Sequence, residues 1–202
     1  LRHATDLSSR LMTSNLSLLT SLGSAVAKRD SDTDAHNYRV ALCAIALAEA
    51  MGLPDDEIAH LIVGAFLHDV GKIGIPDAIL LKPGRLTADE FEIMKTHTLH
   101  GLDIVAGNSW MERAADVIRH HHEKFDGSGY PDGLAGEAIP RIARLFAVVD
   151  VFDALVSARP YKAPMPPETA LAILERDAGP HVDPAMLHRV GFGARTIHIP
   201  HV

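Results

Sequence analysis

The sequence has 202 residues and a mass of 21.8 kDa, with 47% hydrophobic and 22% charged residues, which suits one ordinary globular domain, alone or with an appendage, and excludes a disordered chain. Nineteen Lys and Arg against 26 Asp and Glu give a formal charge of −7, which excludes a chain-wide basic surface for nonspecific DNA binding. One cysteine, Cys43, excludes an intrachain disulfide framework and fits a reducing, cytoplasmic compartment, while thirteen histidines against one tryptophan point to metal or acid–base chemistry.

In chain order, Leu7, Leu11, Leu18, Leu22 and Val26 fall at helical spacings, with Met12, Leu16 and Leu19 beside them. Two readings stand for this first helix: packing on its own domain, or a linker or dimer helix. Asp30 and Ser31 offer caps for a second helix running to about Ala50, closed by Gly52 and Pro54. A third spans about Asp55 to His68 or Asp69 and stops at the punctuated loop Gly71–Pro76. Thr87 and Glu90 form a capping box, which predicts a helix to about Ala106, and another covers about Trp110 to His122. Five glycines and prolines make Glu123 to Ile139 a loop, after which Pro140 opens a helix to about Ser157. Arg159 to Pro167 reads as loop, Glu168 to Asp177 as helix, and Asp183-Pro184 as a cap and first-turn proline. The tail after Gly191 carries no readable pattern. No period-2 strand and no 20–50-residue repeat stands out, so the fold class is all-α. No apolar run approaches the roughly 18 residues needed to span a bilayer, so no membrane insertion is expected.

Chemistry concentrates where helices end. His68-Asp69 closes an apolar helix, His121-His122 closes another, and Asp150 lies inside the run Leu145–Phe152. Burying imidazole and carboxylate without partners is costly, so a cation is expected among them. Asp32 and His36 are four residues apart and share a helix face, and His97 sits on the capping-box helix. Imidazole with carboxylate suits iron, manganese or zinc rather than calcium. Asp32 also has an innocent reading as an acidic residue favoured by the helix dipole. Of His120, His121 and His122, one must point away, and His60, His100, His181, His188 and His198 read as ordinary histidines. Cys43 reads as a small core residue.

His68-Asp69 with Gly71-Lys72, His121-His122-Glu123, Asp126-Gly127-Ser128-Gly129-Tyr130-Pro131, Asp150-Val151-Phe152-Asp153 and Arg159-Pro160-Tyr161-Lys162 together resemble the HD-GYP domain, a branch of the HD-superfamily metal phosphohydrolases. The resemblance covers about Ala27 to Val190. It implies domain limits of 27–190 for the catalytic helical bundle, with 1–26 a linker or dimer helix and 191–202 a tail. It also implies hydrolysis of the bacterial second messenger cyclic di-GMP to linear pGpG or GMP by metal-activated hydroxide. The implied metal ligands are His36, His68, Asp69, His97, His121, His122 and Asp150, with Asp69 bridging two ions. Iron or manganese is the implied metal, two ions or, with Asp32, three. Lys72 would meet the scissile phosphate, while Tyr130, Arg159 and Lys162 would hold substrate. Asp153, one turn past Asp150, would orient a ligand or Lys72.

Other readings remain open for these residues. Lys72 is also placed as a cation at a helix C-terminus. Tyr130 also suits a hydrogen bond across its loop, and Arg159 and Lys162 also suit solvated surface charge. Glu123 has no assigned role. Beginning at Leu1 without methionine, the sequence is expected to be part of a longer signalling protein with an upstream sensory or receiver domain, and a homodimer through the first helix. Rival functions are hydrolysis of another cyclic dinucleotide, and a module that binds cyclic di-GMP with little turnover.

Overall fold

A computed structural model describes residues 2–29, 34–158 and 163–193. Its helices are α1 (Arg2–Ala27), α2 (Asp34–Ala50), α3 (Asp55–Leu67), α4 (Asp77–Leu80), α5 (Ala88–Lys95), α6 (His97–Val105), α7 (Ala115–His120), α8 (Arg141–Val156), α9 (Pro167–Arg176) and α10 (Pro184–Gly193). Among the described residues there is no β-strand, only the isolated bridges Asp126–Ala135 and Ala178–Val182. The chain is all-α, as the sequence predicts.

The core forms where α2, α3, α7 and α8 pack together. Val40 and Leu47 of α2, Leu61 and Leu67 of α3, Ile118 of α7 and Leu145 and Phe146 of α8 are fully enclosed. Burial of each such side chain is worth roughly 1.5–3 kcal/mol. The second half of α1 joins them through Leu19 and Val26, whereas Met12, Leu16 and Leu18 are exposed. Three acidic residues, Asp55, Asp56 and Glu57, complement the dipole at the start of α3. Asp183 caps α10, accepting from the Ala185 amide at 2.8 Å and from Arg144 at 2.6 Å.

The single helix expected from Thr87 to Ala106 is two. The capping box forms, with Glu90 and Thr87 each accepting from the other's backbone amide. At the far end the Thr96 hydroxyl donates to the Ile93 carbonyl and the Thr98 hydroxyl to that of Lys95. These bonds compete for the last carbonyls of α5, and the chain restarts at His97. Likewise the helix expected from Trp110 is only α7, preceded by a 3₁₀ turn at Glu112–Ala114. There the Asn108 side chain accepts from the amides of Trp110 and Met111 and holds a turn instead.

After α3 the chain makes a 3₁₀ turn, Val70–Gly74, against α6. A Cβ on Gly71 would lie 1.8 Å from the carbonyl oxygen of His97. Only glycine lets the two backbones meet there.

Candidate metal centre

Helix ends deliver the donors. His68 and Asp69 directly follow α3, His121 and His122 follow α7, and His97 begins α6. His36 lies in the first turn of α2, and Asp150 projects from α8. These seven side chains fall into two groups, Asp69 with His97, His121 and His122, and His36 with His68 and Asp150. Within each group the donor atoms lie within 4.8 Å of one another. Asp69 faces both ways: Oδ2 is 3.2 Å from His68 Nε2, while Oδ1 is 3.5 Å from His97 Nε2 and 3.9 Å from His121 Nε2. His36 Nε2 is 3.6 Å from Asp150 Oδ1.

Hydrogen bonds fix which ring nitrogen is available. His68 Nδ1 donates to the Ala65 carbonyl at 3.0 Å and His97 Nδ1 to that of Met94 at 2.8 Å. His121 Nδ1 donates to Val117 and Ile118, and His36 Nδ1 to Asp153 at 2.8 Å. A carbonyl only accepts, so each neutral imidazole keeps its lone pair on Nε2. His97 and His121 therefore aim Nε2 lone pairs at each other across 3.4 Å and at Asp69 Oδ1, which is buried with no hydrogen-bond partner. Acceptor facing acceptor around a buried oxygen is unfavourable unless a cation completes the set. The donor set fits divalent metal ions.

Burial pushes the imidazole of His122 down to about 3, helped by the neighbouring His97. It also pushes His97 and His121 below their ordinary value. These three are neutral, as ligation requires. His68 differs: burial pulls it down, but the adjacent Asp69 carboxylate prevails and lifts it to about 9. Asp69, despite its burial, is held well below the usual carboxylate range by Lys72 and His68. Lys72 Nζ stands 2.7 Å from Asp69 Oδ2.

The HD-domain family model matches residues 11–186. The chain belongs to the HD-domain family. It is 48% identical over 168 residues to the cyclic di-GMP phosphodiesterase response regulator RpfG of Xanthomonas campestris, covering 82% of this chain and 44% of that protein. It is 42% identical over 172 residues to 3'3'-cGAMP-specific phosphodiesterase 2 of Vibrio cholerae, covering 84% and 33%. The crystal structure of a cyclic GMP-AMP-specific phosphodiesterase of V. cholerae superposes with a TM-score of 0.73 at 20% identity, over 90% of this chain and 49% of that one. The chain thus spans less than half the length of these relatives.

Around the donors this HD domain builds support that the sequence only partly revealed. Asp153 meets His36 rather than Lys72, and Arg39 grips it at 2.7 and 3.0 Å. Against the effect of burial, His36 and Arg39 hold the Asp153 carboxyl down at about 2. Arg39 was not singled out in the sequence, although it lies three residues after His36 on the same helix. Glu123, left without a role, is buried and accepts from the amides of Asp132 (2.7 Å), Gly133 (3.1 Å) and Leu134 (3.1 Å). It ties down the loop that carries Tyr130. Gly129 permits that fold, because a Cβ there would come within 2.3 Å of the Lys124 amide nitrogen. The Tyr130 ring lies 4.8 Å from that of His122 and 6.0 Å from that of Phe91. Burial and Asp69 push its phenol above the ordinary value, so it stays protonated. His120 is the one of the three consecutive histidines that turns away, meeting Asp132 at 3.1 Å. Cys43 packs against the core, and burial with Asp153 pushes its thiol up to about 11. Asp32, Arg159 and Lys162 lie outside the described residues.

Proposed function

We propose that the chain is a metal-dependent phosphodiesterase that hydrolyses cyclic di-GMP to pGpG or GMP. The observation that carries this reading is the convergence of Nε2 lone pairs on the unpartnered Asp69 Oδ1. The 48% identical relative named for this reaction supports the substrate. His36, His68 and Asp150 would hold one ion and His97, His121 and His122 another, with Asp69, which faces both groups, as a ligand to each. Iron or manganese suits the mixed imidazole and carboxylate set, and Asp32 supplies a ligand for a third ion if one binds. Bound ions of this kind would neutralise phosphate oxygens and lower the pKa of water toward ~7, so that hydroxide is available as the nucleophile at neutral pH.

The chain's own residues do the rest. Asp69, ionised at neutral pH, orients Lys72, whose ammonium faces the scissile phosphate. The protonated Tyr130 lies beside His122 and offers the substrate an O–H donor and a ring face. Glu123 keeps the backbone under Tyr130 in place. Asp153 and Arg39 keep the His36 lone pair turned toward Asp150. Arg159 and Lys162 supply cations for a dianionic substrate that a chain of charge −7 does not attract at long range.

Elemental analysis of anaerobically purified protein, followed by product identification with cyclic di-GMP, cyclic GMP-AMP and cyclic di-AMP in parallel, tests this. Two or more ions per chain and pGpG or GMP from cyclic di-GMP are expected. Faster turnover of cyclic GMP-AMP would favour the second reading, which the 42% identical V. cholerae relative supports. Tight binding of cyclic di-GMP with no product would leave a binding module. We place the chain in the cytoplasm, downstream of a sensory or receiver domain, and as a homodimer through α1. The exposed Met12, Leu16 and Leu18 support the dimer, and replacing all three by serine should lower the solution mass.

A further inference from the structure

Arg29, just past α1, commits all five of its N–H donors to one short segment. One terminal nitrogen donates to the carbonyls of Lys72 (3.0 Å) and Ile73 (2.7 Å). The other donates to the carbonyl of Ile75 (2.7 Å) and to Asp77 Oδ1 (2.6 Å), and Nε also reaches Asp77 Oδ1 (3.0 Å). The Asp77 side chain is 68% exposed, so the ion pair itself is worth little. The three carbonyls matter more. They lie at the end of the 3₁₀ turn that follows Asp69 and bears Lys72; the Lys72 carbonyl also accepts from the Ile75 amide (3.1 Å), whereas a short helix leaves its last carbonyls to be met from outside. A guanidinium fork gathers them where an ammonium reaches only some.

At one end this turn is set by Gly71 against the His97 backbone, and at the other by Arg29. α1 cannot easily slide, because Leu19 and Val26 are buried in the core. We propose that Arg29 is a positioning residue, holding the turn so that the Lys72 ammonium stands where the substrate phosphate needs it. This rests on the phosphodiesterase reading above. Misplacement of a reacting group by about 1 Å can cost about a hundredfold.

The test is a double-mutant cycle on the metal-loaded chain, assayed with cyclic di-GMP and with bis(p-nitrophenyl) phosphate. Arg29→Met should lower kcat by roughly 10–100-fold with metal content unchanged. In a Lys72→Met background the same change should cost almost nothing further. Amide exchange in residues 70–77 should quicken in metal-free Arg29→Met while that of α8 stays as it was. Losses that multiply in the double variant, loss of bound metal, or unchanged exchange in 70–77 would each overturn the proposal. If Arg29→Met does not fold, Arg29→Lys carries the same cycle. Turnover of bis(p-nitrophenyl) phosphate but of no cyclic dinucleotide would remove the substrate reading and leave Arg29 to be judged on the generic ester. Where neither ester is cleaved, the phosphodiesterase reading fails, and the exchange rates alone decide whether Arg29 sets the turn.

Discussion

In the group of Asp69, His97, His121 and His122, the imidazoles of His97 and His121 are steered by backbone carbonyls three or four residues away. In the group of His36, His68 and Asp150, His68 is steered locally by the Ala65 carbonyl, but His36 is steered by Asp153, 117 residues away, and Asp153 is itself held by Arg39. A local lock survives as long as its helix turn survives. A lock between α2 and α8 survives only while the two helices stay in register. The histidine-rich group is therefore the sturdier of the two, and the other depends on tertiary packing.

The largest effect should come from Asp69, whose two oxygens face both groups. Asp69→Ala should lose both ions by elemental analysis and lower turnover by about a thousandfold or more, with helical circular dichroism preserved. Retention of one full-affinity ion would mean that Asp69 serves a single group. Next, Asp153→Asn should weaken the ion at His36, His68 and Asp150 by roughly 10–100-fold and leave the other untouched. A metal titration showing equal loss at both would erase the contrast between local and long-range locks. Glu123→Gln should leave both ions in place. Its effect should be a KM raised several-fold, because Gln offers one acceptor oxygen where Glu offers two, and the loop amides it holds lose partners worth about 1–3 kcal/mol. The smallest effect concerns acid. The Asp153 carboxyl lies at about 2 when folded, below its ordinary ~3.9, so its stabilising contribution is full above ~4 and is lost as pH falls toward 2. Metal-free wild type and Asp153→Asn should thus converge in denaturation midpoint between pH 5 and 2.

The same contrast separates what could be read in the sequence from what could not. His68, Asp69, His121, His122 and Asp150 stood out because polar residues interrupt or end apolar helices, a local pattern. Glu123 did not, because at the head of a glycine-rich loop it looks like any solvated carboxylate. Its three partners lie nine to eleven residues on and meet it only after the loop closes. Arg39 was equally silent, since its partner is on α8, 114 residues away. The all-α class and the Thr87 capping box were legible from short-range rules. The break at Thr96 was not, because hydroxyls bonding back to carbonyls leave the apolar periodicity intact.

Where α6 rests on the turn after Asp69, main chain abuts main chain with no side chain between them. Side chains can rotate to suit a larger or smaller ion, but abutting peptides cannot. The separation between the turn after Asp69 and the first residues of α6 is thereby gauged by the polypeptide itself, and a single methyl group at Gly71 would have to prise the two elements apart.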